Sequence, residues 1–430
     1  MSRDDLRALQ LFKLRRLCDW AHATCGFHRR RWDAAGFHPS QLRSLDDIRR
    51  IPLMTREDWM DAQVAQPLFG DLTTVDHDLA IRYHFTSGTT GRTPLRVLDG
   101  MKDWEWVAEM WAYGFWGAGV RPRDRVFFAF SYGTFIGFWG AHYCCEKLGA
   151  LVLPSGGATT EARVQGILEL GATTVCSTPT YALRLWNEAE RLGIDLARDS
   201  KVDKVILSGE PGGSIPAVKR RLEEVWGAKV FDMAGMTEIG SIMIFECASQ
   251  PGGTHIIEDH FIEETLDHAT NEPVPYGAKA ERIVTSFGRG FIPLVRYRTN
   301  DLVIRQPHTT CTCGRTGDIY EGGIQGRWDD MKLIRGTNVY PRAVEAIVRE
   351  FDLVEEFQIA IVREDIRDEI YVHVEPKAGR DEEWPSVRAR MAKDLSVAHE
   401  GLRFHVERAP AGSLPRFELK AKRLVDKRPL

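Results

Sequence analysis

The sequence lacks the features that mark membrane-spanning and nucleic-acid-binding proteins. Its 430 residues contain no apolar run of about 18 residues, so no transmembrane helix is predicted. The 57 Lys and Arg residues nearly balance the 61 Asp and Glu residues, giving a formal net charge of −4. This balance, without an acidic or basic tail, argues against nucleic acid or a membrane surface as the main partner. Residues 1–5 carry no basic stretch followed by an apolar core, so we expect a cytoplasmic protein.

Cysteine is scarce for so long a chain. The eight cysteines include the adjacent pair Cys144 and Cys145, and Cys311 and Cys313, which are separated by a single residue. This arrangement is typical of reduced thiols or a metal site rather than of a disulfide framework. No internal repeat or low-complexity tract occurs. The length predicts two or three domains, and a hydrophobic content of 43% allows each a substantial core.

One stretch has the composition of a phosphate-binding loop. It consists of Ser87, Gly88, Thr89, Thr90, Gly91 and Arg92. Its glycines allow positive φ, so backbone N–H groups and hydroxyls can point to one position, where an arginine could pair with phosphate oxygens. The pattern is neither the G-x-x-x-x-G-K-[ST] loop nor the G-x-G-x-x-G fingerprint. An ordinary turn is an equally good interpretation of this stretch taken alone.

Between residues 125 and 233, β-rich runs alternate with helical runs, as in a parallel sheet covered by helices on both faces. The predicted strands are Arg125 to Phe130, Leu151 to Leu153, Thr173 to Ser177, Lys204 to Leu207 and Lys229 to Asp232. In such sheets ligands bind at the carboxyl ends of the strands. The segments 131–142, 208–213 and 234–238 follow strands and are therefore candidates for the site.

Other segments carry local signals of helix and domain organisation. Apolar residues from Leu6 to Trp20 recur at helical spacing, and Thr55 with Asp58 forms a capping pattern for a second helix. A later helix is predicted with Ser214 as N-cap, Pro216 in the first turn and Gly227 beyond its end.

The chain changes character near residues 327–330. Residues 240–305 are rich in short strands, whereas a helix near 384–398 lies among strands near 358–363, 369–375 and 402–407. We therefore predict an N-terminal domain of residues 1–328 and a C-terminal domain of residues 329–430. The predicted fold class is α/β, with parallel, helix-covered sheets in the large domain and a small mobile α+β C-terminal domain.

Four separated groups could act together on a nucleoside triphosphate. Besides the loop at 87–92, Thr237 and Glu238 offer a hydroxyl and a carboxylate suited to Mg²⁺. Asp301, interpreted as following a strand, could accept hydrogen bonds from two ribose hydroxyls. Lys420 is the fourth group. Taken singly, each group is better interpreted structurally: Thr237 and Glu238 as a helix cap, Asp301 as a turn and Lys420 as a solvated charge.

Ordered matches to one family run along essentially the whole chain. They lie at residues 85–91, 146–150, 154–157, 177–181, 235–238, 255–261, 296–301, 311–316, 326–331 and 335–341. With these segments the sequence resembles the adenylate-forming (acyl-CoA synthetase) superfamily, and specifically its phenylacetate–CoA ligase branch. The resemblance implies that a carboxylate attacks the α-phosphate of ATP, giving an acyl-adenylate and pyrophosphate. A thiol, normally that of coenzyme A, then displaces AMP.

The resemblance also implies roles for individual residues. Lys420, Glu238 and Thr237 would be catalytic, with Mg²⁺ held near Glu238. Nucleotide binding would involve the loop at 87–92 together with Gly209, Glu210, Pro211, Asp232, Thr237, Asp301 and Arg327, of which Glu210 and Pro211 would lie along the adenine. Asp329 would be the hinge about which the C-terminal domain rotates, bringing Arg335 and Gly336 to the thiol channel.

A structural zinc site is implied in the same way. The family branch holds zinc with one Cys, one His and a Cys-x-Cys pair, which correspond here to Cys247, His255, Cys311 and Cys313. Three thiolates and an imidazole form a closed tetrahedral set. From spacing alone, His260 and His308 are alternative ligands.

The acid pocket and the acceptor are less specified. The resemblance implies a pocket lined by Tyr132, Phe135, Phe138, Trp139, His142 and Ala234. The aromatic residues among them suit an aryl or arylacetic acid, although half of these could belong to the core. The leading hypothesis is an ATP-dependent acid–CoA ligase, with a small carboxylic acid, ATP and coenzyme A as partners; a homodimer is the oligomeric state considered. Transfer to an amine, a carrier-protein thiol or another nucleophile is the first alternative. An inactive nucleotide-binding paralogue is the second, because Ala234 replaces an aromatic residue of the family and Leu419 a glycine.

Overall fold

The computed structural model describes residues 1–86, 94–134, 136–365, 367–417 and 421–428. Several predicted site residues lie outside the described residues. They are Ser87, Gly88, Thr89, Thr90, Gly91 and Arg92 of the predicted phosphate loop, Phe135 of the acid pocket, and Leu419 and Lys420 near the C-terminus.

The described residues form helices in both parts of the chain. The α-helices are α1 Arg3–Thr24, α2 Gly26–Ala34, α3 Arg56–Ala65, α4 Met101–Gly117, α5 Ile136–Leu148, α6 Thr160–Glu169, α7 Pro179–Arg191, α8 Leu196–Asp199, α9 Pro216–Trp226, α10 Pro341–Val348 and α11 Trp384–Ala398. Short 3₁₀ turns lie at Pro39–Gln41, Leu45–Arg50, His77–Leu79, His308–Thr310 and Asp381–Glu383. Within these described ranges, no helix combines the length and the apolar character needed to cross a bilayer.

The strands form one large sheet and three smaller units. They are β1 Arg82–Phe85, β2 Arg96–Asp99, β3 Arg125–Phe128, β4 Leu151–Pro154, β5 Thr174–Ser177, β6 Lys204–Leu207, β7 Lys229–Gly235, β8 Ile242–Phe245, β9 Gly253–Ile256, β10 Phe261–Leu266, β11 Lys279–Ser286, β12 Leu294–Gln306, β13 Ile319–Glu321, β14 Gly326–Arg327, β15 Lys332–Ile334, β16 Thr337–Val339, β17 Val354–Glu364, β18 Arg367–Pro376, β19 Phe404–Arg408 and β20 Leu424–Asp426.

One half of the large sheet is parallel. Its strands lie in the order β4-β3-β5-β6-β7, and each neighbouring pair is parallel. Alternate residues enter different cores: Val205 packs with residues of α6, α7 and α9, whereas Ile206 packs with residues of α4 and α5. The sheet is therefore covered by helices on both faces, which confirms the predicted arrangement.

The other half of the large sheet is antiparallel. It continues from β7 through β8, β9, β13, β12 and β11 to β10, and β14 pairs with β12. The junction lies at β7 and β8, directly beside the turn that carries Thr237 and Glu238. The change of strand direction thus places the end of a parallel strand next to residues delivered by antiparallel strands.

The C-terminal part has its own sheet and core. Strands β19-β18-β17-β20 form a sheet in which only the central pair is antiparallel. Its core includes Val344 of α10, Met391 of α11, and Ile359 and Val372 of the central strands. The α/β fold class with a smaller C-terminal α+β unit is therefore confirmed.

Two helices show how local sequence sets their ends. Thr55 caps α3, accepting from the Asp58 N–H at 3.1 Å, while the Asp58 carboxylate accepts from the Thr55 N–H at 2.8 Å. Helix α9 begins at Pro216 and ends at Gly227 with φ 59°. The predicted N-cap Ser214 is wrong, because Ile215 occupies that position and the Ser214 hydroxyl instead accepts a hydrogen bond from Arg342.

Candidate active site

The predicted phosphate loop is bounded by an antiparallel hairpin. Strands β1 and β2 pair with Phe85 opposite Arg96, and the Thr86 N–H donates to the Leu95 carbonyl at 3.0 Å. The segment 87–93 therefore connects two strand ends that are held together. Since loops at strand ends commonly carry ligand-binding groups, this placement is consistent with the predicted role.

Arg56 links this hairpin to the Thr237–Glu238 turn. Its guanidinium forms an ion pair with the Glu238 carboxylate and donates to the Thr86 hydroxyl at 2.7 Å. Glu238 is only 4% exposed. A carboxylate so deeply buried needs a charged partner, and Arg56 supplies it while bringing Glu238 beside the residue that precedes the loop.

A second arginine fixes the backbone of the same turn. Arg289 is fully buried and pairs through two hydrogen bonds with Asp99 of β2, at 2.7 and 2.8 Å. Its remaining nitrogen donates to the carbonyls of Thr237 and Glu238, both at 3.0 Å. One guanidinium thus joins the strand leaving the predicted phosphate loop to the turn predicted to hold Mg²⁺.

Tyr297 is a buried residue of β12 on which several of these charges act. Burial raises the pKa of the Tyr297 phenol, the charge of Glu238 raises it further, and Arg56 and Arg327 oppose that rise. Both arginines are therefore within electrostatic reach of one buried phenol.

Asp301 and Arg327 oppose each other in the sheet. They are register partners in β12 and β14, and Arg327 also pairs with Asp329 at 2.8 and 2.9 Å. Asp301 Oδ2 lies 3.5 Å from Arg282 Nη1 without forming a hydrogen bond, so it is a buried acceptor lacking a hydrogen-bond partner within the described residues. Burial raises the pKa of Asp301, and Arg282 and Arg327 counteract the rise. An unused buried oxygen suits a hydroxyl donor such as a ribose.

The interpretation of Asp301 as following a strand is wrong. It lies inside the 13-residue strand β12, which is irregular there. The register shifts between Glu281 and Ile283 of the partner strand, and Asn300 has φ 61°. Such bulges redirect a side chain within a strand, and here the irregularity directs a carboxylate that uniform strand spacing would not single out.

Glu210 lies at the domain interface. Its carboxylate accepts from the Thr180 N–H at 2.8 Å and from the Ala421 N–H at 2.7 Å. The first donor belongs to the opening turn of α7 and the second to the C-terminal tail. Both carboxylate oxygens therefore accept hydrogen bonds from backbone N–H groups. The expected position of Glu210 along the adenine does not account for these two contacts.

Asp232 is the last residue of β7 that pairs with β6, and the backbone comes close to its carboxylate at two glycines. A Cβ added at Gly213 would lie 2.7 Å from its Oδ1, and one at Gly323 would lie 2.9 Å from its Oδ2. Burial raises the pKa of Asp232 to about 7, the charge of Glu246 adds to the rise, and Arg342 opposes it. Asp232 thus connects the loop after β6, which carries Gly209 to Pro211, with the segment leading to Arg327.

The predicted acid pocket is a group of packed rings. Tyr132 contacts Phe130, Trp139 and His142, with ring centroids at 5.5, 4.7 and 5.6 Å, and its hydroxyl lies 3.0 Å from His142 Nδ1. Phe138 is buried and stacks on Phe130 at 3.3 Å. Phe138 therefore contributes to the core behind Tyr132, whereas Tyr132, Trp139 and His142 are only partly buried.

Ala234 belongs to β7, opposite Ile244 of β8. It is partly buried and lies three residues before Thr237. Its methyl group is small, so it covers less of the backbone at this strand end than an aromatic side chain would. This position is consistent with a site wall between the turn and the parallel strands.

The four predicted metal ligands lie together. The ligand atoms of Cys247, His255, Cys311 and Cys313 are all within 4.8 Å of one another. They come from the end of β8, from β9 and from the turn before β13, three neighbouring strands. His255 Nδ1 lies 3.3 Å from the Gly317 carbonyl, which leaves Nε2 facing Cys313. Three sulfurs and one imidazole nitrogen fit the tetrahedral ligand set of structural zinc.

The two alternative histidines have other contacts. His260 Nδ1 accepts from the Trp106 indole N–H at 2.9 Å, and His308 Nδ1 lies 3.8 Å from a carboxylate oxygen of Asp318. The cluster therefore contains the histidine implied by the family and not its rivals.

Sequence reasoning missed Arg56 and Arg289. Neither belongs to a short motif, and each resembles a surface cation in its local sequence. A signal was present only for Arg56, which follows the capping threonine of α3 at the start of that helix. Arg289 could be found only from the fold, because Asp99 is 190 positions away in the chain.

Two family models match the chain. The model for AMP-binding enzymes matches residues 41–284, and the model for the AMP-binding enzyme C-terminal domain matches residues 336–428. The first covers more than half of the chain and contains the parallel sheet. The second covers most of the C-terminal sheet and its tail.

Relatives and solved structures give the same assignment. The phenylacetate-coenzyme A ligase of Thermus thermophilus is 34% identical over 447 residues, covering 100% of this chain and 98% of that protein. A 2-hydroxyisobutyryl-CoA ligase in the postadenylation state, in complex with R3-HIB-AMP, is 32% identical with a TM-score of 0.93, covering 99% of this chain and 90% of that chain. The same ligase with 2-HIB-AMP and CoA in the thioesterification state is 33% identical, with a TM-score of 0.75 and coverages of 100% and 91%. The chain therefore belongs to the AMP-binding enzyme family and is an AMP-forming acid–CoA ligase, which confirms the family and the enzyme class predicted from the sequence.

Proposed function

We propose that the enzyme activates an aryl or arylacetic acid and transfers it to coenzyme A. The observation that carries this substrate class is the ring group around Tyr132, in which Trp139 and His142 are partly buried and Phe130 and Phe138 form the layer behind. Flat faces and edges of this kind suit a planar ring. The relatives named phenylacetate-coenzyme A ligase support the same class.

The first half-reaction joins two anions. A carboxylate oxygen of the acid attacks the α-phosphorus of ATP, and the bond to pyrophosphate breaks. Fixed positive charge must offset the repulsion between the reactants. We assign Lys420 to bridge the acid and the α-phosphate, the loop at 87–92 to hold the outer phosphates, and Arg56 to orient the Glu238 carboxylate beside that loop.

The nucleoside would be held at two places. Asp301, whose buried Oδ2 has no hydrogen-bond partner among the described residues, and Arg327 would bind the ribose. The loop from Gly209 to Pro211, together with Asp232, would border the adenine. In the second half-reaction the coenzyme A sulfur attacks the acyl carbon, and the bond to AMP breaks.

Mg²⁺ would be held by Glu238, with Thr237 adjacent. The carboxylate is an oxygen ligand of the type that Mg²⁺ takes, so the residues fit the ion. When bound, Mg²⁺ neutralises phosphate charge. Arg289 contributes by fixing the backbone on which both residues lie.

We further propose domain rotation about Asp329, with the boundary at residues 327–330. Trp328 anchors the preceding segment, because its N–H donates to the Asn300 carbonyl at 2.8 Å and its ring stacks on His268 at 4.6 Å. Asp329 itself is about half exposed. The greater similarity to the postadenylation state than to the thioesterification state supports assigning the present arrangement to the first half-reaction.

A structural zinc ion at Cys247, His255, Cys311 and Cys313 completes the proposal. It would tie β8, β9 and the turn before β13 together, away from the reacting groups. Elemental analysis should find about one zinc per chain. Strong chelation should lower the melting temperature of the wild type, whereas a Cys247→Ala, Cys311→Ala variant should show no further loss on chelation.

Pyrophosphate exchange tests the proposed function. Wild-type enzyme is incubated with ATP, Mg²⁺ and labelled pyrophosphate across a panel of aryl, arylacetic and short aliphatic acids, and thioester formation is then measured with and without coenzyme A. We expect exchange with aryl or arylacetic acids and thioester only with coenzyme A. Exchange confined to aliphatic acids contradicts the substrate class, and exchange without thioester indicates another acceptor.

A further inference from the structure

The Glu210 carboxylate joins two parts of the chain that are far apart in sequence. One oxygen accepts from the Thr180 N–H at 2.8 Å, and the other accepts from the Ala421 N–H at 2.7 Å. Thr180 lies in the first turn of α7, where backbone N–H groups lack helical partners. A carboxylate is well placed there, because the helix dipole favours negative charge at its N-terminus.

Arg423 provides a second hydrogen bond between the C-terminal tail and Thr180. Its Nη2 donates to the Thr180 hydroxyl at 3.3 Å and to the Glu356 carboxylate at 3.1 Å. Arg423 is 8% exposed and also pairs with Glu345 of α10 at 3.1 Å. The arginine is thus fixed within the C-terminal unit and contacts the large domain at Thr180.

The tail is an integral part of the C-terminal sheet. Its strand β20 is parallel to β17, with Leu424 opposite Ile359. This pairing attaches the tail to the C-terminal sheet, and Ala421 directly follows Lys420 in the sequence. The bond from Ala421 to Glu210 therefore lies one residue from the proposed catalytic lysine along the chain.

We propose that Glu210 is a positioning residue for adenylation, which holds the C-terminal tail against α7 through the Ala421 N–H. This inference rests on the proposed function, in that adenylation is the step for which the tail must be docked. It gives Glu210 a role different from contact with the adenine. The docked arrangement gains the bonds at Glu210 and Thr180, and the arrangement in which the tail has moved away loses them.

The two roles of Glu210 predict different kinetics. A nucleotide contact acts when ATP binds, so its loss raises the KM for ATP. A positioning contact changes the fraction of enzyme with the tail docked, so its loss lowers kcat of the first half-reaction. The second half-reaction, started from added acyl-adenylate and coenzyme A, does not need the docked tail.

The test is Glu210→Gln, which keeps the size of the side chain but replaces one acceptor oxygen by a donor group. We expect kcat for ATP–pyrophosphate exchange to fall about 10- to 100-fold, the range for a hydrogen bond to a charged group. The KM for ATP and the rate of thioester formation from added acyl-adenylate should stay within about twofold of wild type. Thr180→Val, which removes only the hydroxyl that accepts from Arg423, should lower kcat for ATP–pyrophosphate exchange by about threefold.

Hydrogen exchange provides a readout that does not depend on catalysis. Peptides covering residues 421–428 should exchange hydrogen faster in Glu210→Gln than in wild type, because the glutamine keeps one acceptor oxygen for the N–H groups of both Thr180 and Ala421. This measurement tests the docking even if no acid in the panel is activated, so failure of the proposed function and failure of this inference are distinguishable.

Glu350→Gln is the matched control. Glu350 pairs with Arg220 across the same interface at 2.8 Å, but the two side chains are 49% and 64% exposed. An exposed pair contributes little, so both half-reactions should stay within about twofold of wild type. The inference is overturned if Glu210→Gln raises the KM for ATP without lowering kcat. It is equally overturned if the rates of both half-reactions fall by the same factor, or if hydrogen exchange in residues 421–428 is unchanged.

Discussion

The nucleotide side and the acid side of the active site are built from different interactions. On the nucleotide side, Arg289 and Asp99 are both fully buried, and their ion pair fixes the Thr237–Glu238 turn. On the acid side, Tyr132 is held by ring contacts with Trp139 and His142 and by a hydrogen bond between its hydroxyl and His142.

The difference shows which part of the site is sensitive to single changes. A buried ion pair that loses one partner leaves an uncompensated charge, which costs about 3–5 kcal/mol. A ring that loses one aromatic neighbour loses about 0.5–1.5 kcal/mol beyond the buried area. Changes on the nucleotide side should therefore slow adenylation strongly, whereas changes on the acid side should alter which acids are accepted.

Lys420→Ala should have the largest effect on the rate of adenylation among the changes on the nucleotide side. Loss of one preorganised charge at the reacting phosphate should lower the rate of pyrophosphate exchange by about 10²–10³-fold. Lys422→Ala, at an exposed position two residues further on, is the control and should change little. Exchange near the wild-type rate in Lys420→Ala would contradict the assignment of the lysine.

Arg289→Met should reduce both stability and adenylation. It leaves Asp99 buried and unpaired, so unfolding should be easier by about 3–5 kcal/mol, as measured by denaturant titration. Pyrophosphate exchange should fall about 10- to 100-fold, because the backbone carbonyls of Thr237 and Glu238 lose the guanidinium that donates to them.

A double variant separates these two effects. Asp99→Asn combined with Arg289→Met removes both charges and should recover much of the stability. It should not recover exchange activity, because the carbonyls of Thr237 and Glu238 still lack the guanidinium. Recovery of both would mean that Arg289 acts only on stability.

Tyr132→Ala tests the acid side. It removes the ring that contacts Trp139 and His142, so the KM for an aryl acid should rise about tenfold while the KM for ATP is unchanged. Tyr132→Phe, which loses only the hydrogen bond to His142, should show a smaller rise. A matching rise in the KM for ATP would show that the two sides are not independent.

Asp232→Asn should have the smallest effect, visible as a pH dependence of stability. Asp232 faces Glu246, Arg342 and Lys219, and burial raises its pKa from 3.8 to about 7. Between those values the folded protein binds more protons than the unfolded chain, so the stability from this carboxyl is present below about pH 4 and lost as the pH rises through about 7. At pH 8 the variant should therefore melt roughly 2 °C above wild type, whereas at pH 4 the two proteins should have the same melting temperature. An equal shift at both values would contradict the raised pKa.

Local signals in the sequence predicted the elements that local interactions form. The Thr55–Asp58 pattern is a capping box, and the strand at 204–207 has the predicted bounds. Ser214 failed as an N-cap because its hydroxyl is used by Arg342, a residue 128 positions away. A competing long-range hydrogen bond leaves no trace in the nearby sequence.

The site shows the same division. The resemblance named Glu238, Asp301 and Arg327, and the structure places the last two opposite each other in β12 and β14. The group that fixes the backbone carrying Glu238 was not predictable, because Arg289 acts through a partner in β2. The resemblance also named Glu210, but not its hydrogen bonds to the Thr180 and Ala421 N–H groups, because backbone groups carry no residue identity.

The buried pair of Arg289 and Asp99 also constrains how this lineage can vary. Replacing either residue alone passes through a protein with a stranded interior charge, and selection should remove most such intermediates. The two positions should therefore change together among orthologues, and a combinatorial library randomised at both should return mainly compensated couples, either oppositely charged or both neutral.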